Sequence, residues 1–143
     1  KLFFVDKYYK PELPLNLTKH LLKFANSSID ISDGLIDDLS KMINRQNLSF
    51  HLFENKIPVS NKLSNLIKKQ RLNKINLISN GDDYQVLFTA DIKKARIIQK
   101  ASKATGIKIT KIGKIVSGKD RSLIFDEKGK QIRAKSKGYI HRF

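Results

Sequence analysis

Asp30, Ser32, Asp33, Asp37 and Asp38 fall within one short run, SSIDISDGLIDDL, where an alternating apolar pattern gives way to helical spacing. Asp30 belongs on the polar side of a short strand and Asp33 at the start of the helix that follows. Two carboxylates so placed can hold a hard divalent cation beside a phosphate. Ser32 offers a hydroxyl to a phosphate oxygen, and Gly34 lets a ligand come close to the backbone. A helix start also presents amides without intrahelical partners, which attracts anions. The same residues fit a plainer role, with Ser32 or Asp33 as N-cap and Asp37 and Asp38 favouring the helix dipole. Local pattern leaves both readings open.

A second stretch, Ser79-Asn80-Gly81-Asp82-Asp83-Tyr84, is a turn by its chemistry, since Asn80 and Gly81 both accept positive φ. It precedes the most apolar strand pattern in the chain. Adjacent acids at a strand entrance are unfavourable unless they are solvated or bound to something, and either alternative suits this segment.

The elements that must position these residues follow from periodicity. The aromatic-rich opening KLFFVDKYY predicts a strand over 1–9. Pro11 and Pro14 break it, and a helix follows from Asn16 or Thr18 to about Phe24. A strand is expected over 27–31. A helix is expected from Gly34 to about Asn47, with Leu35, Leu39, Met42 and Ile43 on one stripe. Further expectations are a strand over 48–53, a helix over 61–72 and a strand over 84–90. Asp91 caps a helix that ends near Gly106. The remainder reads as β, over 108–116, 122–126 and 131–134, before a tail at 138–143. Alternating strands and helices followed by hairpins imply one α+β domain, a mixed sheet with helices packed on it.

With 143 residues the chain suffices for one domain with a real core. No stretch approaches the roughly 20 apolar residues of a membrane span, and no signal-peptide pattern is present. The first residue is not Met, which suggests that the chain begins mid-protein. There is no Cys, and His20, His51 and His141 lack zinc-site spacing, so any metal must be a hard cation on oxygen ligands. The net charge of +16 comes from 29 Lys and Arg against 13 acids. The basic residues are mostly scattered lysines. Only Lys68-Lys69-Gln70-Arg71 is a tight run, without the interleaved aromatics of a single-strand stacking platform. A diffuse lysine surface implies no specific nucleic-acid partner.

Taken together, IDISDGLIDDL, SNGDDYQVLFT, IGKIVSG and the terminal KGYIHRF resemble the second half of the thiamine-monophosphate kinase family. That family belongs with aminoimidazole ribonucleotide synthetase and selenophosphate synthetase. Its pattern runs A-x-D-I-S-D-G-L, then G-G-E-D-Y-E-L-L-F-T, then I-G, then G-Y-D-H-F. The match spans nearly the whole chain. It implies a fold like the C-terminal domain of aminoimidazole ribonucleotide synthetase, with residues 1–143 as a single C-terminal domain.

The implied activity is transfer of the γ-phosphoryl group of ATP to thiamine monophosphate, giving thiamine diphosphate, in a cytoplasmic enzyme that uses Mg²⁺. By position, Asp30 and Asp33 correspond to metal ligands and Ser32 to an ATP contact. Asp82 and Tyr139 correspond to substrate contacts. The chain departs from the pattern at Asn80 for Gly, Asp82 for Glu, Gln85 for an acid, and in the tail at Ile140 and Arg142. The family's first half, with most metal ligands and the homodimer interface, has no counterpart here, so the resemblance implies that the isolated segment is inactive. Another ATP-using member of the superfamily, or a basic nucleic-acid-binding module, are the alternatives.

Overall fold

The structure is a computed structural model that describes residues 2–44, 46–81 and 83–134. The expected tail at 138–143, Tyr139 within it, and Asp82 lie outside the described residues.

The chain opens with a helix, Leu2–Tyr9 (α1), where the aromatic content predicts a strand. A strand is stable only when a neighbour takes its ladder groups, and no described strand pairs with these residues. The helix satisfies its own backbone instead, ending with the Lys10 amide on the Asp6 carbonyl at 2.8 Å. None of its residues is buried. Lys7 is ion-paired with Glu12, and the Lys62 ammonium lies 4.1 Å from the Phe3 ring centroid.

The second helix, Leu15–Phe24 (α2), runs directly into a strand, Ala25–Asp30 (β1), whose exposure alternates residue by residue. A helix, Leu35–Met42 (α3), begins after the Ser32–Gly34 turn and buries Leu35, Ile36 and Leu39. It stops earlier than Asn47. The next strand, Leu48–Phe53 (β2), leads through a 3-10 turn at Glu54–Lys56 to a helix, Asn61–Gln70 (α4). Ser60 caps α4 by accepting from the Leu63 amide at 3.1 Å. A four-residue helix, Lys74–Leu77 (α5), was not expected, yet Ile75 within it is fully buried. The strand Val86–Ala90 (β3) follows. Asp91 then accepts from the Lys93 amide at 2.8 Å, introducing a 3-10 turn and the helix Ala95–Thr105 (α6). Gly106 closes α6 at φ 69°, as expected.

Two ladders form rather than one continuous sheet. Strands β1 and β3 pair antiparallel, with Asp30 opposite Val86 and Ser28 opposite Phe88. A four-stranded mixed sheet contains Gly113–Ser117 (β4), β2, Leu123–Phe125 (β5) and Gln131–Ile132 (β6) in that order, with β2 and β5 parallel. The expected strand over 108–116 begins only at Gly113. The segment before it packs Ile107 and Ile109 against α2 and α6, around Leu17, Phe24 and Ala101. The larger core joins α3 to the mixed sheet through Leu35, Leu39, Phe50, Leu52 and Ile124. An α+β fold with a mixed sheet is therefore what the chain adopts. Its two cores leave the β1–α3 turn at the end of the small ladder.

Candidate metal and nucleotide site

Backbone contacts bring the two acidic stretches together. The β1–β3 ladder continues past its formal ends, with the Ile31 amide on the Gln85 carbonyl and the Tyr84 amide on the Ile31 carbonyl, both at 2.9 Å. Beyond it, the Leu35 amide reaches the Ile78 carbonyl at 3.2 Å. Residues 31–35 thus lie beside 78–81 and 84–85.

Two glycines permit that approach. A Cβ on Gly34 would stand 2.4 Å from the Ser79 carbonyl oxygen, and one on Gly81 would stand 2.2 Å from that of Ser32. Their φ values of 124° and 73° also favour glycine. Ser79 is fully buried between them, its hydroxyl donating to the Ile75 carbonyl at 2.7 Å. Tyr84 holds φ 50°, an uncommon conformation for an aromatic residue.

The amides at the head of α3 are already taken. Oδ2 of Asp38 accepts from the amides of Ser32 and Asp33 at 2.9 Å each and of Gly34 at 3.1 Å. The side chain is 1% exposed. Neither reading of the sequence anticipates this. The amides do not face solvent, and the N-cap is Gly34, with Asp38 reaching back from one turn inside the helix. A buried carboxylate is costly unless its oxygens find donors. Three amides and a lysine supply them here.

That lysine is Lys41. Its ammonium is ion-paired with Asp33, lies 2.7 Å from Asp37 and 3.3 Å from Oδ1 of Asp38. The Asp33 hydrogen bond, then that of Asp37, holds its pKa well above the ordinary lysine value. Asp33, Asp37 and Asp38 each place an oxygen within 4.8 Å of the others. Both Asp38 oxygens are engaged, by the three amides and by Lys41, so Asp33 and Asp37 are the hard oxygen donors that a divalent cation would share with the ammonium. Asp30 sits on the exposed face at the end of β1, three residues before Asp33.

Among the residues singled out from sequence, the structure brings Ser32 and Asp33 against the Gly81 turn. It adds Asp37, Asp38 and Lys41, which sequence reasoning did not place in the site. Their spacing carried the signal: Lys41 stands at i+8, i+4 and i+3 from the three acids, so α3 turns it onto them. A groove of about 560 Å³ lies elsewhere, against α1 and Lys62, and shares no residue with this turn. Among the described residues, no helix is long and apolar enough to cross a membrane.

No family model matches the chain. Thiamine-monophosphate kinase from Aquifex aeolicus is 34% identical over 90 residues, covering 62% of this chain and 29% of that protein. The enzyme of that name from Buchnera aphidicola subsp. Acyrthosiphon pisum is 32% identical over 140 residues, covering 97% of this chain and 42% of its own length. Among solved structures, AaThiL complexed with AMPPCP and TMP matches with a TM-score of 0.70 at 27% identity, over 97% of this chain and 41% of that one. Thiamine-monophosphate kinase from Stenotrophomonas maltophilia K279a gives 0.66 at 25% identity, over 86% and 37%. The chain thus spans less than half the length of the relatives it matches. Over that span, in sequence and in fold, it is similar to the thiamine-monophosphate kinases.

Proposed function

We propose that this chain is the C-terminal domain of a thiamine-monophosphate kinase, a cytoplasmic homodimer that phosphorylates thiamine monophosphate to thiamine diphosphate with ATP. The observation that carries the reading is the backbone-to-backbone seating of Gly34 on Ser79 and Gly81 on Ser32. It joins the two motifs that a phosphoryl-transfer site of this family requires. The match to relatives of that name over 97% of the chain supports it.

The acceptor is a phosphate oxygen that is anionic near neutral pH, so the reaction needs no strong general base. The difficulty is bringing polyanions together, and bound Mg²⁺ supplies the screening charge. Asp30, at the end of β1, and Asp33, within the turn, would hold the metal. The Ser32 hydroxyl donates to a phosphate oxygen of ATP. Asp82 and Tyr139 contact the thiamine substrate. Because Asp38 occupies the amides of Ser32–Gly34, the Ser32 side chain and a bound metal, rather than the helix start, would meet phosphate here.

The complete protein, given ATP, Mg²⁺ and thiamine monophosphate, is expected to accumulate thiamine diphosphate. Asp33→Asn should lower kcat/KM by on the order of 100-fold or more. The isolated chain should be inactive. A complete wild-type protein that forms no product, or an unimpaired Asp33→Asn, would refute the assignment.

A further inference from the structure

Asp38 is the most deeply buried carboxylate of the described chain, and no step of the proposed reaction uses it. Its two oxygens have separate tasks. Oδ2 gathers three consecutive amides, those of Ser32, Asp33 and Gly34. Oδ1 faces the Lys41 ammonium, which also holds Asp33 and Asp37. One side chain therefore fixes both the backbone that carries Ser32 and Asp33 and the cation that orients the Asp33 carboxylate. Three charge-assisted bonds to one oxygen restrict the turn far more than a single cap would.

We infer that Asp38 is a positioning residue of the site: it holds Ser32 and Asp33 in the arrangement that receives Mg²⁺ and the nucleotide, without touching either. The role rests on the function proposed above, and it extends to Lys41 as the tether between Asp38 and Asp33. A positioning carboxylate of this kind acts as the outer partners of metal ligands do, whose loss typically costs about 10–100-fold in metal affinity or activity.

The test uses the complete protein and two readouts. Amide hydrogen exchange reports the three bonds directly. In wild type the amides of Ser32, Asp33 and Gly34 should exchange slowly, and Asp38→Ala should release all three together. Steady-state turnover at varied Mg²⁺ reports the consequence. Asp38→Ala should raise the half-saturating Mg²⁺ concentration about 10-fold or more, with a smaller change in kcat. Asp38→Asn keeps an acceptor oxygen, and should restore protection and return the Mg²⁺ requirement toward wild type. If Asp38→Ala does not fold, Asp38→Ser, whose oxygen lies too close to the backbone to span three amides, takes its place. Asp91→Ala removes the cap before α6 and controls for lost stability. It should leave the Mg²⁺ requirement unchanged.

Persisting protection in the Ala variant would overturn the inference, as would a Mg²⁺ requirement that moves no more than in Asp91→Ala. In those cases wild-type turnover still upholds the kinase. A wild-type protein without turnover at any Mg²⁺ concentration would instead remove the kinase and the positioning role together.

Discussion

Two lysines close two corners of this molecule in opposite ways. At the site, the ammonium of Lys41 stands among Asp33, Asp37 and Asp38, with its side chain 45% exposed. At the turn after β2, the ammonium of Lys74 donates to the carbonyls of Glu54 and Ile57, at 2.7 Å each. The first pKa is raised, chiefly by hydrogen bonds to Asp33 and Asp37, and the second is lowered by burial. The Lys74 corner is a structural clip in which carbonyl dipoles partly offset the loss of water. The Lys41 corner is a concentration of negative charge around a half-exposed ammonium. It offers carboxylates to a cation, and the Lys74 corner only carbonyls.

The largest expected effect comes from removing the platform beneath Lys41. Gly34→Ala places a Cβ against the Ser79 carbonyl at a φ of 124°. It should lower unfolding free energy by about 3 kcal/mol or more, measured by urea denaturation. Gly106→Ala sharpens the point, because its φ is also positive but nothing lies within 4 Å of the added Cβ. Its cost should stay near about 1 kcal/mol.

Lys74→Met comes next. It leaves two carbonyls without their donor but removes the cost of burying a charge, for a net loss of about 1–2 kcal/mol at neutral pH. Its pH dependence identifies the cause. With a folded-state pKa below the ordinary 10.5, the unfolded chain binds more protons between the two values. Wild-type stability relative to Lys74→Met should therefore rise as pH climbs through that window, and level off above 10.5.

Lys41→Met should show the opposite form and a smaller size, below about 1 kcal/mol, because the pair faces solvent. With the folded-state pKa raised, its contribution is fully present below 10.5 and is lost only at still higher pH. The difference between wild type and Lys41→Met should therefore stay flat over the neutral to mildly alkaline range. It should shrink when salt is added, as screening requires. Matching pH profiles for the two variants would erase the distinction between the corners.

The passage from β1 into α3 and the positive φ of Gly81 were legible because strand alternation and turn chemistry are local signals. Leu35, Leu39 and Ile43 were legible as a buried stripe for the same reason. Asp38 was not, because a single acid on the polar side of a short helix looks solvated until the preceding turn folds over it. Lys41 was hidden among 29 basic residues. The opening helix misled because Phe3, Phe4, Tyr8 and Tyr9 favour strands only where a partner strand exists. Helix α5 is four residues long, too short for a period to show. At 107–112, packing of Ile107 and Ile109 onto α2 and α6 displaced the expected pairing.

The most direct test of the Ser32–Asp33 turn as a cation and nucleotide site is paramagnetic broadening by Mn²⁺ in the presence of ATP. Amide signals of Ser32, Asp33 and Gly81 should broaden first in the complete protein, and Asp33→Asn should abolish that order. Broadening spread evenly over exposed acids such as Asp120 and Glu127, or unchanged in Asp33→Asn, would contradict the account.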